Sequence, residues 1–188
     1  MLKLQRVRRD HEAALLEFEL ANRAYFALSL SDRGDEFYEE FAERHRALLA
    51  EQEAGVCVFH VLVDEDQTVV GRFNLYGLVD GTAEVGYRVA QRATGGGVAT
   101  SGLRDLCRIA GEEYGLRTLR AVTTEENVAS QRVLAKAGFV VVGPAEVGGR
   151  HGVRYELSLA TTDPGHVVAI AAAARTVGDA PMPDDLRE

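Results

Sequence analysis

The sequence contains few cysteines and no long apolar segment. Its two cysteines, Cys57 and Cys107, both lie inside apolar stretches, so we expect buried thiols in a reducing compartment. No apolar run approaches the roughly eighteen residues that a membrane span needs, and the N-terminal residues lack the apolar core of a signal peptide. A cytoplasmic protein that does not enter a membrane is therefore expected.

Basic residues are outnumbered by acidic ones, 21 against 29, which gives a net charge of −8. This balance disfavours general binding to nucleic-acid phosphates. An acidic surface could attract cationic acceptors such as amines, and the alternative is that the charge only keeps the protein soluble. The 5 histidines show no metal-ligand spacing, and no Gly-x-Ser-x-Gly motif is present. Neither a metalloenzyme nor a hydrolase with a nucleophile elbow is expected.

The length of 188 residues suits one domain with a sizeable core. Apolar periodicity predicts a helix capped by Asp10, a second helix over 35–54, a helix after the glycines at 95–97 and a helix over 127–137. Alternating and apolar runs predict strands over 2–8, 56–63, 68–79, 82–90, 116–123, 139–142 and 154–159, with a loop over 143–152 between the last two. Asp163-Pro164 is a helix start for a C-terminal extension.

The stretch over 85–100 carries the clearest chemistry. A β-type run leads through Arg92 into three glycines at 95–97, and an amphipathic helix follows. This arrangement forms an anion site, because glycines let a phosphate approach the backbone and the first N–H groups of a helix lack partners. Val98 stands where a P-loop needs lysine, and Thr100 stands where the dinucleotide fingerprint needs glycine or alanine.

The Arg-x-x-Gly-x-Gly pattern at 92–97 resembles the pyrophosphate loop of the GNAT superfamily of acetyl-CoA-dependent N-acetyltransferases. A second match follows, because Asn127 begins a helix that closes with Lys-Ala-Gly-Phe at 136–139, as in that family. Asparagine suits an N-cap, and the glycine suits the left-handed position after a helix. The resemblance covers roughly residues 56–160, and a short fragment over 21–26 resembles the acceptor-side helix of the ribosomal-protein-alanine N-acetyltransferase branch.

The resemblance implies an α+β, three-layer GNAT fold over 1–162, with a mixed, mostly antiparallel sheet of about seven strands and about four helices, followed by the helical extension over 163–188. It implies acetyl-CoA as the cofactor, bound where a strand splays from its neighbour, with an N–H near Val89 facing the developing oxyanion. The cofactor-binding residues that it implies are Tyr87, Arg88, Val89, Arg92, Ala93, Thr94, Gly95, Gly96, Gly97, Val98, Ala99, Thr100, Asn127 and Ser130.

Two side chains are candidates for catalysis. Glu84 is the best candidate base, acting through a water, because its strand borders the cleft and Gly86 leaves room beside it. The alternative is a surface carboxylate. Ser130 lies where members of the branch place a hydroxyl near the leaving sulfur. Other GNAT proteins use a tyrosine as the acid that protonates this sulfur, but no tyrosine occurs in 123–137. The role of this acid therefore falls to Ser130 or to solvent. The alternative is a serine on the helix surface.

The acceptor remains open at this point. The resemblance implies acetyl transfer to a primary amine, which in this branch is the N-terminal amine of a protein. The alternatives are a small-molecule amine, such as a polyamine, amino acid or antibiotic, and a non-catalytic acyl-CoA-binding regulator. In the family, the helices that roof the acceptor site and the loop at 147–151 vary with substrate. No nucleic-acid or membrane partner is expected, and self-association of the alanine-rich extension into a homodimer is a hypothesis.

Overall fold

A seven-stranded sheet separates two layers of helices in the computed structural model, which describes residues 1–29 and 31–159. The order across the sheet is β1-β2-β3-β4-β5-β7-β6, and all neighbours are antiparallel except the parallel pair β4 and β5. The predicted α+β fold is confirmed. The strands are β1 (Lys3–Arg6), β2 (Cys57–Val63), β3 (Val69–Val79), β4 (Thr82–Val89), β5 (Thr118–Thr124), β6 (Val140–Val147) and β7 (Arg150–Ser158).

Three helices cover one face of the sheet and two cover the other, and each layer encloses its own apolar core. Within the described residues, no helix is both long and apolar enough to cross a membrane. The predictions for the C-terminal extension lie outside the described residues. The first layer contains α1 (Glu12–Phe26), α2 (Asp35–Glu39) and α3 (Phe41–Glu53), and the second contains α4 (Val98–Glu112) and α5 (Val128–Ala137).

Helix α4 lies directly on β3 because glycine occupies the contact. A Cβ at Gly102 would come within 2.4 Å of the Phe73 ring, so no larger residue fits at this approach. The apolar positions predicted from the sequence, including Leu103 and Leu106, are fully buried in the same core. This packing fixes the start of α4 against the end of β4.

Helix α5 has the ends that the sequence predicts. Asn127 caps it by accepting a hydrogen bond from the Ser130 N–H at 3.0 Å. Gly138 follows the helix with φ +99°, and the Phe139 N–H donates back to the Leu134 carbonyl at 3.1 Å. The buried Phe139 side chain completes this end of the helix.

Two helix predictions were wrong in detail. Asp10 does not cap α1; it lies in a 3-10 turn and pairs with Arg8 at 3.1 Å, while the His11 ring accepts the Arg8 N–H at 3.2 Å. The helix predicted over 35–54 is divided at Glu40, whose ψ of 10° leaves the helical range. The apolar spacing continues across this break, so the break cannot be detected from the sequence pattern.

The loop predicted over 143–152 was also wrong. Strands β6 and β7 continue through it to a two-residue turn, where Gly148 and Gly149 have φ of +55° and +75°, as in a type I′ hairpin. Gly152 lies within β7, where a Cβ would stand 2.7 Å from the Thr123 carbonyl oxygen. The glycines of this segment therefore serve a tight turn and a close strand contact.

Candidate active site

A gap opens inside the sheet between β4 and β5. The two strands pair only through Thr82, Ala83 and Glu84 of β4. Beyond this point β4 stays paired with β3 as far as Val89, and β5 stays paired with β7 as far as Thr124. The gap therefore has an unpaired strand edge on each side.

The backbone of β4 directs alternate peptide groups into this gap. The Ala90 N–H donates to the Val70 carbonyl of β3 at 2.9 Å. Because peptide groups alternate sides along a strand, the N–H and C=O groups of Tyr87 and Val89, which lie beyond the last pair with β5, face away from β3 and into the gap. The sequence analysis expects an oxyanion donor near Val89, and the N–H of that residue has a suitable direction.

A glycine loop stands at the open end of β4. The 3-10 turn Gln91–Ala93 is closed by Thr94, whose hydroxyl donates to the Gln91 carbonyl at 2.8 Å. Gly95 and Gly97 have φ of +83° and +80°, a backbone conformation that favours glycine, and Gly97 precedes the first turn of α4. Apart from each glycine and its two chain neighbours, no described atom lies within 4 Å of a Cβ position built on any of the three glycines.

This loop has the properties of a pyrophosphate cradle. The N–H groups of Val98, Ala99 and Thr100 begin α4 and have no preceding helical carbonyl, and the helix dipole adds partial positive charge there. Arg92 is half exposed beside the loop, and its guanidinium lies 3.7 Å from the Asp64 carboxylate. A surface ion pair of this length is weak, so a phosphate can compete with it.

A cavity lies in the gap and is lined by β4, β5, the start of α5, the β6–β7 hairpin and Ser29, which follows α1. Gly86 and Tyr87 line it from β4, and Asn127 and Ser130 line it from the start of α5. Arg150, at the base of the hairpin turn, stands at its edge and donates to the Ser29 carbonyl at 3.4 Å. The remaining lining residues are Ser29, Val85, Ala121, Val122, Thr123, Thr124, Leu134 and Val147.

Tyr87 and Ser130 meet across this cavity. Their side-chain oxygens are 2.9 Å apart, and the Tyr87 hydroxyl also lies 3.3 Å from the Ser130 carbonyl oxygen. The Tyr87 ring stacks on Phe73, with centroids 5.9 Å apart. Burial raises the pKa of Tyr87 to about 12, against the lowering effect of the Ser130 hydrogen bond, so the phenol stays protonated at neutral pH. Tyr87 was predicted from the sequence only as a cofactor-binding residue, and its contact with Ser130 was not predicted.

Glu84 stands at the closed end of the gap, at the last position where β4 pairs with β5. Its side chain is half buried and lies on the same strand face as Gly86 and Arg88, opposite to the face of Tyr87. Glu84 does not line the described cavity, whereas its neighbour Gly86 does. Glu84 is thus next to the cavity on the side of the α1–α3 layer.

Arg88 faces that helix layer. Its guanidinium lies 2.9 Å from one oxygen of Glu19 in α1, and the Arg72 guanidinium lies 3.1 Å from the other. All three side chains are buried. Only the backbone of Arg88 is therefore near the loop, and its side chain joins β4 to α1. The sequence analysis did not identify Glu19 or its ion pairs.

The two cysteines are reduced and buried, as predicted. Burial raises the pKa of both Cys57 and Cys107 to about 12. Within residues 1–29 and 31–159, no three His, Cys, Asp or Glu side chains come together as a metal site. The gap itself presents backbone donors and the hydroxyl groups of Tyr87 and Ser130.

Comparison with known proteins gives consistent relatives. The probable N-acetyltransferase YjcK of Bacillus subtilis (strain 168) is 28% identical over 133 residues, which span 66% of this chain and 72% of that protein. The structure is similar to the ribosomal-protein-S5-alanine acetyltransferase of Vibrio fischeri, with a TM-score of 0.78, 17% identity and coverage of 84% of this chain and 92% of the other. It is also similar to the spermidine N-acetyltransferase of Vibrio cholerae in complex with CoA and spermine, with a TM-score of 0.69, 16% identity and coverage of 84% and 95%.

The family model for the acetyltransferase (GNAT) domain matches residues 2–140, which include the gap, the glycine loop and α5. The splayed parallel pair, the loop and the capped helix occur in the order that the sequence predicts. The chain belongs to the GNAT acetyltransferase family.

Proposed function

We propose that this acetyltransferase transfers the acetyl group of acetyl-CoA to a primary amine by direct attack in a ternary complex. The observation that carries this proposal is the gap between β4 and β5, which ends at an open glycine loop. A strand edge with inward-facing peptide groups suits the amides of the pantetheine arm. The loop and the helix N-terminus suit the pyrophosphate.

The residues proposed to bind CoA divide into two groups. Tyr87 and Val89 offer backbone groups of β4 to the pantetheine arm, and Asn127 and Ser130 line the opposite side of the cavity. The pyrophosphate group is bound by the loop and the start of α4 together with one cation. These residues are Arg92, Ala93, Thr94, Gly95, Gly96, Gly97, Val98, Ala99 and Thr100.

Three groups are proposed to act on the reaction. The Val89 N–H stabilises the negative charge that develops on the thioester oxygen, because a fixed donor needs no reorganisation during the reaction. Glu84 accepts the proton of the amine through a water that Gly86 leaves room for. Ser130 donates a hydrogen bond to the leaving sulfur.

The proposed acceptor is the N-terminal amine of a protein. Among the described lining residues of the cavity, Arg150 is the single charged side chain. A polyamine carries further ammonium groups, which carboxylates would be needed to bind, and the Glu126 carboxylate beside this arginine is already paired with it at 3.7 Å. A peptide N-terminus has one ammonium group followed by neutral backbone, and this suits a described lining without carboxylates better.

The test is the release of free thiol from acetyl-CoA with a panel of amines that contains N-terminal peptides, spermidine, free amino acids and an aminoglycoside. The buried cysteines give little background with a thiol reagent. Faster release with peptides than with spermidine is expected. Release with spermidine alone would contradict the proposed acceptor, and CoA binding without release with any amine would indicate the regulator instead.

Gly96 offers a separate test of the CoA site. It does not have the positive φ of Gly95 and Gly97, and no described atom lies near its Cβ position, so Gly96→Val should fold normally. A bulky side chain should keep a phosphate from the backbone and weaken CoA binding by about tenfold or more, the equivalent of one lost charge-assisted hydrogen bond. Calorimetry that shows equal affinity for wild type and a folded Gly96→Val variant would refute the site.

A further inference from the structure

We propose that Tyr87 is a positioning residue, which directs the proton of the Ser130 hydroxyl toward the leaving sulfur of the thioester. The inference rests on the proposed acetyl transfer and adds to it the residue that orients the Ser130 hydroxyl. The two hydroxyl groups are 2.9 Å apart, and both side chains line the cavity in the gap.

The direction of this hydrogen bond decides what Ser130 can do. At 2.9 Å either oxygen can donate. A phenol is more acidic than an aliphatic alcohol, so in the proposed arrangement Tyr87 is the donor and Ser130 the acceptor. Ser130 then keeps its own proton, which must point away from Tyr87. Because Ser130 lines the cavity, its free proton is available to a group bound there.

Both partners are fixed before any ligand binds. The Tyr87 ring stacks on Phe73, which is fully buried. The backbone of Ser130 is held by the Asn127 cap, through the N–H donated to the asparagine side chain at 3.0 Å. A donor that is already oriented stabilises developing charge at lower cost than one that must reorient during the reaction.

The step balances without a further reactant. The amine nitrogen forms the new bond to the acetyl carbon and loses its proton to the base. When the carbon–sulfur bond breaks, its electron pair stays on sulfur, and Ser130 stabilises that charge by a hydrogen bond. The released thiolate takes its proton from solvent, so Tyr87 and Ser130 both end the reaction protonated.

The experiment compares Tyr87→Phe, Ser130→Ala and the double variant. Tyr87→Phe keeps the ring and its stacking and removes only the hydroxyl. We expect kcat to fall about tenfold with an unchanged KM for acetyl-CoA, as for the loss of one hydrogen bond to a charge. The double variant should be no slower than Ser130→Ala alone, because the tyrosine acts through the serine.

A second measurement does not depend on turnover. Bound CoA ionises to a thiolate that absorbs in the ultraviolet, and the cysteines do not interfere because burial raises the pKa of Cys57 and Cys107 to about 12. Wild type should lower the pKa of the bound thiol relative to free CoA. Tyr87→Phe and Ser130→Ala should each raise it by about one unit. Site-specific 3-fluorotyrosine at position 87, a stronger donor with the same contacts, should lower it further.

Tyr114→Phe is the matched control. Tyr114 is also buried, with a pKa raised to about 12 and its hydroxyl 2.8 Å from His60, but it does not line the cavity. It should change neither kcat nor the thiol pKa. Equal kcat and equal thiol pKa in wild type and Tyr87→Phe would overturn the proposal and leave Tyr87 as a structural link. Shifted thiol pKa values in an enzyme that acetylates no amine would support the positioning role and refute the proposed function.

Discussion

Replacing Glu19 by glutamine is expected to destabilise the protein strongly. The Glu19 side chain has no exposed surface, and its two carboxylate oxygens lie 3.1 Å from the Arg72 guanidinium and 2.9 Å from that of Arg88. The variant keeps the shape of the side chain and removes the charge. Two buried guanidinium groups then lose the carboxylate that they share.

The expected loss is about 3–5 kcal/mol of unfolding free energy at pH 7, the usual cost of removing one partner from a buried ion pair. For a chain of this length, this corresponds to a decrease of about 6–20 °C in the melting temperature. The measurement is urea unfolding followed by circular dichroism, because it gives the free energy and the slope together.

The effect should depend on pH. Burial by itself raises the pKa of Glu19, but the charges of Arg72, Arg88 and Arg33 outweigh it and hold this pKa below its ordinary value. A carboxyl group with a lowered pKa contributes stability above its unfolded-state pKa, near about 4.5, and the contribution is lost as the pH falls through the folded-state value. The difference between wild type and Glu19→Gln should therefore be constant near neutral pH and narrow below about pH 4.5.

The control is Glu112→Gln, which removes an exposed carboxylate 2.7 Å from Arg108 on the surface of α4. It should leave the urea midpoint almost unchanged, since exposed pairs contribute little. A loss of less than about 1 kcal/mol for Glu19→Gln, or a difference that widens as the pH falls, would refute the account of the buried ion pairs.

Four further predictions concern the site and the fold. Glu84→Gln should lower kcat/KM about a hundredfold without changing CoA affinity, and the deficit should shrink as the pH approaches the pKa of the amine; an equal rate at every pH would exclude Glu84 as the base. Gly102→Ala should destabilise by about 1–3 kcal/mol in thermal melts, because the added methyl meets the Phe73 ring; an unchanged midpoint would contradict this packing. Arg150→Gln should lower the ratio of the thiol-release rate with peptides to that with spermidine; an unchanged ratio would show that Arg150 does not contribute to acceptor specificity. A chain ending at Thr162 should retain its CoA affinity in calorimetry, since the matched family region and the described sheet both end before it. The same oligomeric state for the full-length and shortened chains in sedimentation would show that the extension does not mediate self-association.

The parts of the molecule that the sequence predicts are those that local chemistry determines. Gly95 and Gly97 are glycines because of their backbone angles, and Asn127 and Gly138 are suited to the two ends of one helix. Each of these assignments depends on neighbours within a few residues, so the pattern is visible along the chain. The same reasoning explains why α4 was placed correctly from its apolar spacing.

The parts that were missed depend on contacts between distant residues. Glu19 lies on a helix where a carboxylate would normally face solvent, and its two arginine partners come from β3 and β4. The sequence places Tyr87 at the cofactor site, but the contact of its hydroxyl with Ser130 exists only because α5 packs beside β4. Both contacts depend on how the helices pack against the sheet. The periodicity of a single segment contains no information about that packing.

The unequal pairing of β4 has a consequence for hydrogen exchange. The amides of Gly86 and Arg88 face β3 and should exchange slowly, whereas those of Tyr87 and Val89 face the gap and should exchange quickly. One strand thus carries two protection classes in strict alternation. A ligand that fills the gap would pair with the open edge of β4, so it should slow the exchange of the fast amides alone. The amides along the strand should then exchange at similarly slow rates.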